Sequence, residues 1–399
     1  MRISSSTLFD SNVTLLGQQQ TRLLQTKQQV ASGRRILTAA DDPVAAARAL
    51  EINQSDAMNT QYAANRTAAR HTLSLAESNL QSATSLLQDV RTAVVNAGNG
   101  ALNNSDRKTI ATELSGRLQE LIGLANSTDG AGNYLFAGFQ SKTQPFVATP
   151  TGIGYFGDDG QHNVQVSATR QIASSDSGAD VFMRVKNGNG TFITQAAAAN
   201  TGTGVVSSGA VTNPAALVAG NSYSISFSLV AGVMNYTVTG APVALAVPVT
   251  GAYVSGQTIS FDGIQLDIQG TPAVTDTFTV TPSANESVFK TISDLINALN
   301  APVAGANLTN SLNRGLNNLD NALNNVLTTR SSLGLRLNEI DALQTAGEDL
   351  GMQFKQSLSA LQDVDYNKAI SDLTQQQMSL QAAQKSFIKI AELSLFSYL

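Results

Sequence analysis

The sequence predicts an α+β protein: a long antiparallel α-helical coiled coil or bundle built from both chain ends, with an inserted, mostly antiparallel β domain. Three observations carry this reading. Apolar residues recur every seven positions in both terminal parts of the chain. Between about 141 and 285 the composition shifts from Ala, Leu, Gln and Asn to Gly, Thr, Val and Pro. Within that middle, apolar and polar residues alternate between turn signals. Heptad stripes at both ends need a partner, so the chain should go out, fold a β domain and return, letting its two ends pair. At 399 residues it exceeds the usual size of one domain.

Taken in order, Phe9, Leu16, Leu23, Val30 and Leu37 form a first heptad column. The stretch VASGRRILTAADDPVAAARAL, residues 30–50, ends it: Gly33 permits a break, Asp42 reads as an N-cap, and Pro43 reads as the first position of the next helix. Leu73, Leu80, Leu87 and Val94, with Ala76, Ala83, Val90 and Ala97 three positions later, make the second seam. In the C-terminal part Leu312, Leu319, Val326, Leu333, Ile340, Phe354 and Leu361 share one column, interrupted by Gly347. That run of about 50 residues would reach near 75 Å as one helix at ~1.5 Å per residue. A last seam, Tyr366, Leu373, Leu380 and Phe387 with Ala369, Ala383 and Ile390, is out of phase with it, which predicts a slip at 363–367. Between the helical ends, YSISFSLVAGVMNYTVTG, QTISFDGIQLDIQG and DTFTVTPS read as antiparallel strands, beginning near Pro145 and closing near Pro282.

Chemistry is thinly supplied. The net charge of -5 argues against a nucleic-acid footprint. Cysteine is absent and there are two histidines, His71 and His162, which leaves little material for thiolate, metal or acid–base work. No run of about 18 apolar residues suggests membrane insertion, and the N-terminus lacks a cleavable secretory signal. Asp41 and Asp42 can be read as paired carboxylates, but their place before Pro43 favours capping. Asp158-Asp159-Gly160, close to His162, reads as a hairpin turn rather than a metal cluster. KNGNGTF and NTGTGVV do not lead a strand into a helix, so they are turns and not phosphate loops. No serine stands in a nucleophile elbow. The expectation is a protein with no enzymatic activity and no cofactor.

Three segments carry a resemblance: ASGRRILTAADDPVAAARAL at the first joint, GNYLFAGFQSKTQPF at 132–146, and GADVF at 178–182 taken with the ending QAAQKSFIKIAELSLFSYL. Together they resemble the flagellin superfamily of bacterial axial proteins, and within it the hook–filament junction family, the hook-associated proteins of type 3. Pro43 and NYLFAGFQ are what favour that branch over filament flagellins. The resemblance implies a structural subunit of the bacterial flagellum that joins hook-associated protein type 1 to flagellin. It also implies a ring of identical copies, an export chaperone bound at the C-terminal region, and secretion to the cell exterior through the flagellar type III apparatus. It divides the chain into terminal coiled-coil segments 1–42 and 366–399, disordered in the monomer, a helical middle domain 43–140 with 286–365, and an outer β domain 141–285.

The residues expected to make subunit contacts are Leu16, Leu23, Val30, Arg34, Arg35, Asp41 and Asp42 near the first end, and Leu373, Leu380, Phe387 and Ile390 near the second. A flagellin-like filament subunit is one alternative. Another is a secreted adhesin whose β domain, with Tyr155, Phe156, Tyr223 and Tyr236, rides on a helical stalk.

Overall fold

The computed structural model describes the backbone of residues 5–245, 247–302 and 305–396 and, within these, the side chains of residue 7 and residues 9–389. Helices α1 (Ser5–Ser32), α2 (Pro43–Ala97) and α3 (Asn104–Ala125) precede the strands, and α4 (Val288–Asn300), α5 (Ala306–Gln362) and α6 (Tyr366–Phe396) follow them. The chain is therefore α+β with an inserted antiparallel β region, as the pattern predicts. It forms two compact units, one from Met1–Ala64 and Ala342–Leu399, the other from Asn65–Asp341.

In the Asn65–Asp341 unit the predicted columns are the core. Leu73, Leu80, Leu87 and Val94 on α2 are wholly buried, as are Leu319 and Val326 on α5, with Leu312, Leu333 and Ile340 nearly so. Each such side chain contributes roughly 1.5–3 kcal/mol relative to exposure. Three ion pairs, Arg70 with Asp341, Glu77 with Arg330 and Arg91 with Asp320, show that α2 and α5 run antiparallel. Helix α3 turns back along α2, with Arg117 reaching Asp89 and Ser127 reaching Asn79. It starts on a capping box, in which Asn103 accepts from the Ser105 and Asp106 amides while Asp106 accepts from the Asn103 amide.

Fifteen strands occur among the described residues. β1 (Phe146–Thr149) pairs with β2 (Gly152–Tyr155), and β3 (Asn163–Ser167) with β4 (Arg170–Ala173). β5 (Val185–Lys186), β6 (Phe192–Ala196), β7 (Val205–Val206) and β8 (Ala210–Val211) lead to the long hairpin β9 (Ser222–Val230) and β10 (Val233–Ala241). β11 (Val249–Ala252), β12 (Thr258–Phe261), β13 (Ile264–Gln269), β14 (Thr277–Pro282) and β15 (Asn285–Glu286) complete the set. The main sheet has the order β11-β10-β9-β14-β6, and a second joins β12, β13, β7 and β8. Alternation sends Tyr223, Ile225, Phe227, Ile259, Phe261, Leu266 and Phe278 into one apolar core. The two hairpins turn on Ala231-Gly232 and Asp262-Gly263, all four at positive φ, the geometry that suits tight hairpins.

One expectation is corrected. Asp158-Asp159-Gly160 is not a hairpin turn, because β2 pairs back with β1 and β3 pairs forward with β4. The segment is a crossover. Asp158 pins it by accepting hydrogen bonds from the Phe139 and Gly160 amides at 2.8 Å, which hold its carboxyl below the usual range. His162 packs edge-on against Phe139. The segments GNYLFAGFQSKTQPF and GADVF meet at an aromatic knot of Phe136, Phe146, Phe182 and Phe289, all fully buried.

The strand region is fastened to α5 by asparagines on one helix face. Asn310 donates to Gly204 O and accepts from the Val206 amide, both at 2.9 Å, while Asn318 accepts from the Gly188 amide. Asn307, Asn321 and Asn325 reach the carbonyls of Asn200, of Lys186 and Gly188, and of Asp180 and Val181. Edge backbone that would otherwise be buried unpaired is satisfied this way. Asn310→Ala should therefore lower the unfolding free energy of this unit by about 1–3 kcal/mol in chemical denaturation. Exposed Asn313→Ala should stay within about 0.5 kcal/mol of the parent.

Candidate assembly surface

The terminal unit is built around the pairing of α1 with α6. At one end the rings of Phe9 and Phe387 lie 5.1 Å apart. At the other the Arg35 amide donates to Gln362 O at 2.6 Å, and the backbone at Arg34 lies opposite that of Asp363 in an antiparallel bridge. The two helices thus run antiparallel. Inward from Phe9 the covered positions of α1 are Asn12, Leu16, Gln19, Leu23, Thr26 and Val30. From Phe387 those of α6 include Ala383, Leu380, Gln376, Leu373 and Ala369. Both sets follow the three-and-four spacing of a coiled-coil seam.

This seam is only partly closed. Thr26 and Ala369 are buried, whereas Leu16, Leu23, Val30, Leu373, Leu380 and Phe387 are half-buried. The side chain of Ile390 lies outside the described residues. Gln19 and Gln376 each turn a buried amide oxygen inward with no hydrogen-bond partner among the described residues. Such an oxygen costs about 1–3 kcal/mol. Meanwhile Val13, Leu15 and Leu24 on α1, and Ile370, Met378 and Ile388 on α6, are exposed by 47–60%. A helix pair has room for one stripe from each helix, so these side chains have no partner within it.

The charged residues of the first joint do distinct jobs. Asp41 accepts from the Thr38 and Leu37 amides at 2.8 and 3.0 Å and from the Gln25 side chain at 2.8 Å. Asp42 caps α2 by accepting from the Ala45 amide at 3.0 Å, and it pairs with Arg35 at 3.3 Å. Arg35 also donates to Leu361 O at 2.8 Å. The backbone amides of Thr38 and Leu37 depress the Asp41 carboxyl, and the Ala45 amide, then Arg35, depresses that of Asp42. Arg34 projects an exposed guanidinium that pairs with no acid among the described residues.

Three more residues build the joint: Gly33 and Tyr366, read from the sequence as a break and as the start of a seam, and Asp365, which the pattern did not single out. Gly33 sits at φ +71, and its carbonyl accepts from the Val364 amide at 2.9 Å. Tyr366 covers it so closely that a Cβ there would lie 2.9 Å from the phenol oxygen. Asp365 caps α6 through the Asn367 and Lys368 amides, at the break expected from the phase slip. The DVDYN segment held the capping signal, but what Tyr366 covers is a long-range fact.

A chain whose two ends pair in this way around an inserted β region is of the flagellin class, and comparison with known proteins agrees. Residues 3–141 match the bacterial flagellin N-terminal helical region, and residues 316–399 the bacterial flagellin C-terminal helical region. The chain is 30% identical over 404 residues to flagellar hook-associated protein 3 of Salmonella typhimurium, and 29% identical over 396 residues to that of Escherichia coli K12, each alignment covering 99% of both chains. Among solved structures, flagellar hook-associated protein-3 of Legionella pneumophila superposes with a TM-score of 0.74 at 34% identity, over 78% of this chain and 98% of that one. FlgL of Xanthomonas campestris gives 0.71 at 32%, over 77% and 99%. The chain belongs to the flagellar hook-associated protein 3 family, a family of flagellar structural proteins.

Gly33→Ala should loosen the terminal unit by about 1–2 kcal/mol, since an L-residue resists the left-handed region. Adding Tyr366→Phe should recover only the part due to crowding, as read by helical circular dichroism on heating. Both joint carboxyls are depressed on folding, so their contribution is complete above the unfolded value of about 3.9 and fades as pH falls through their lower folded values. Protection of the Leu37, Thr38 and Ala45 amides from exchange should hold from neutrality to about pH 5 and decline only below about 4. A decline beginning near neutrality would contradict this assignment.

Proposed function

We propose that this chain is the structural subunit that joins the hook-associated protein type 1 layer to the flagellin filament, assembled as a ring of identical copies. The observation that carries it is the half-closed α1–α6 seam, on both flanks of which apolar side chains stand exposed among the described residues. Family membership supplies the setting, and one relative of solved structure is described as a flagellar junction protein. Segments 1–42 and 366–399 supply the assembly layer and order fully on assembly. Residues 43–140 with 286–365 form the helical middle, and 141–285 the outer β domain. Export through the flagellar type III apparatus, with a chaperone on the C-terminal region, delivers the chain to the cell exterior. Its task is mechanical, and it requires neither catalysis nor nucleic acid nor membrane insertion.

The expected subunit contacts fall into two groups on this reading. Leu16, Leu23, Val30, Leu373, Leu380, Phe387 and Ile390 form the seam that neighbours complete. Arg35, Asp41 and Asp42 fix the joint's shape, and Arg34 meets a carboxylate of an adjacent subunit.

Deleting the gene should leave hooks intact, filaments absent and flagellin in the culture medium; normal filaments would refute the proposal. Arg34→Glu should reduce swarming and filament attachment without reducing secretion. Unchanged motility would remove Arg34 from the interface.

A further inference from the structure

Strand β6 lies at one end of the main sheet and pairs with β14 alone. The Ala197 amide bonds Thr277 O and the Ser283 amide bonds Thr191 O, so the odd-numbered residues of β6 bond to β14 and the even-numbered ones turn their N–H and C=O groups outward. Asn189 closes the outward groups of Phe192, its amide donating to Phe192 O and its side-chain oxygen accepting from the Phe192 amide. Those of Thr194 and Ala196 have no strand paired to them among the described residues. The edge also lacks the usual guards, because Phe192–Ala196 contains no proline and no charge.

Beside this edge is a cleft of about 270 Å³, and α5 forms much of its other wall. Asn310 fastens the 204–206 segment to the helix and Asn318 fastens Gly188. Between those two clamps Asn313, Arg314 and Asn317 line the cleft with side chains that have no hydrogen-bond partner among the described residues. Arg314 is half-buried, yet no carboxylate among the described residues lies within 4.0 Å of its guanidinium. The two acids that border the adjacent hollow are already engaged: Glu286 accepts from Asn187, Thr291 and Asn318, and Asp294 pairs with Lys290. A guanidinium partly withdrawn from water without an acceptor is unfavourable, and an incoming carboxylate relieves it.

We propose that the cleft between β6 and α5 binds an extended acidic peptide segment of a partner protein, added as a strand along Thr194 and Ala196 with one of its carboxylates on Arg314. Two backbone donors and two acceptors in one row match another backbone, which is how strand addition gains its affinity. The single cation then selects the side chain, since alternation along the added strand lets an acid at one position stand beside neutral residues at the next. The volume lies just below the ~300–1,000 Å³ that encloses a drug-sized ligand, so a short segment fits where a bulky molecule would not. Helix α5, standing along the open edge, keeps a second folded sheet away while leaving room for one chain. The site lies wholly within the Asn65–Asp341 unit and does not depend on the ring proposed above.

The probe is the acetylated, amidated heptapeptide Thr-Val-Thr-Glu-Thr-Val-Thr, titrated into the full-length chain while its amide resonances are followed. The Thr194 and Ala196 amides should shift and exchange more slowly, and the Arg314 side-chain N–H signal should move with them. Replacing the peptide's glutamate by glutamine, or Arg314→Gln in the chain, should weaken binding about tenfold, the variant's thermal unfolding being unchanged. Methylating the peptide nitrogens that face β6 should abolish it. Silent Thr194 and Ala196 amides at millimolar peptide, or equal binding of the glutamine peptide, would overturn the proposal. The same shifts from acetate alone would also overturn it, leaving a simple anion site. Should Arg314→Gln fail to fold, the glutamine and methylated peptides decide the matter on the unaltered chain.

Discussion

A pair of helices can bury one stripe of each partner, and the terminal unit of this protein is organised by that limit. The sequence writes amphipathic columns into both ends of a 399-residue chain, and neither end can satisfy its column alone. Pairing α1 with α6 covers the Leu16, Leu23, Leu373 and Leu380 stripe to about half. It leaves Leu24, Met378 and Ile388 in water. The antiparallel sense of the pair then requires the chain to turn at two places, and the turns are built as one joint. Gly33 takes the left-handed backbone that Tyr366 covers, and an aspartate caps the helix leaving each turn, Asp42 for α2 and Asp365 for α6.

The two compact units differ in what fills their seams. Between Asn65 and Asp341 the columns hold leucine, isoleucine and valine at almost no exposure, a core that is stable without help from neighbours. In the terminal unit the continuation of α2 presents Ala45, Ala49, Ile52, Asp56 and Asn59, and α5 presents Gly347 and Gly351. The Asn59 amide bonds Gly347 O at 2.8 Å, a contact of backbone rather than of apolar bulk. Small and polar seam residues hold that part of α2 and α5 weakly, and the orphaned oxygens of Gln19 and Gln376 do the same for the α1–α6 pair. Weak internal pairing is what the proposed assembly role requires of these segments.

The strand region shows the complementary strategy. Its own core is apolar and alternates along the strands, yet its attachment to α5 is polar. Asparagine amides offer a donor and an acceptor together, so one side chain can close both halves of an interrupted ladder, as Asn310 does for Gly204 and Val206. Position and orientation are fixed by hydrogen bonds that have one good geometry, where an apolar contact would tolerate sliding.

Periodicity alone determined the class of fold, the placement of the long helices, the two principal hairpins and the break before Tyr366, because burial of a stripe every 3.5 residues, or every second one, is imposed locally. Asp42 and Pro43 were readable as a helix start for the same reason: capping involves neighbours in the chain. The asparagine face at 307, 310, 318, 321 and 325 has helical spacing too, but asparagine has no single preferred environment, and only the strands packed against it give it a purpose. Asp158 looked like a hairpin residue and proved to tie a crossover, since strand partnership is a property of distant segments. What the tertiary structure alone decided was which charges of the joint are satisfied internally. Arg34 and Arg35 are adjacent and chemically identical, yet Arg35 reaches Asp42 and Leu361 while Arg34 faces solvent. That difference is set by the direction each side chain leaves a backbone whose partner strand, 363–364, lies more than three hundred residues away.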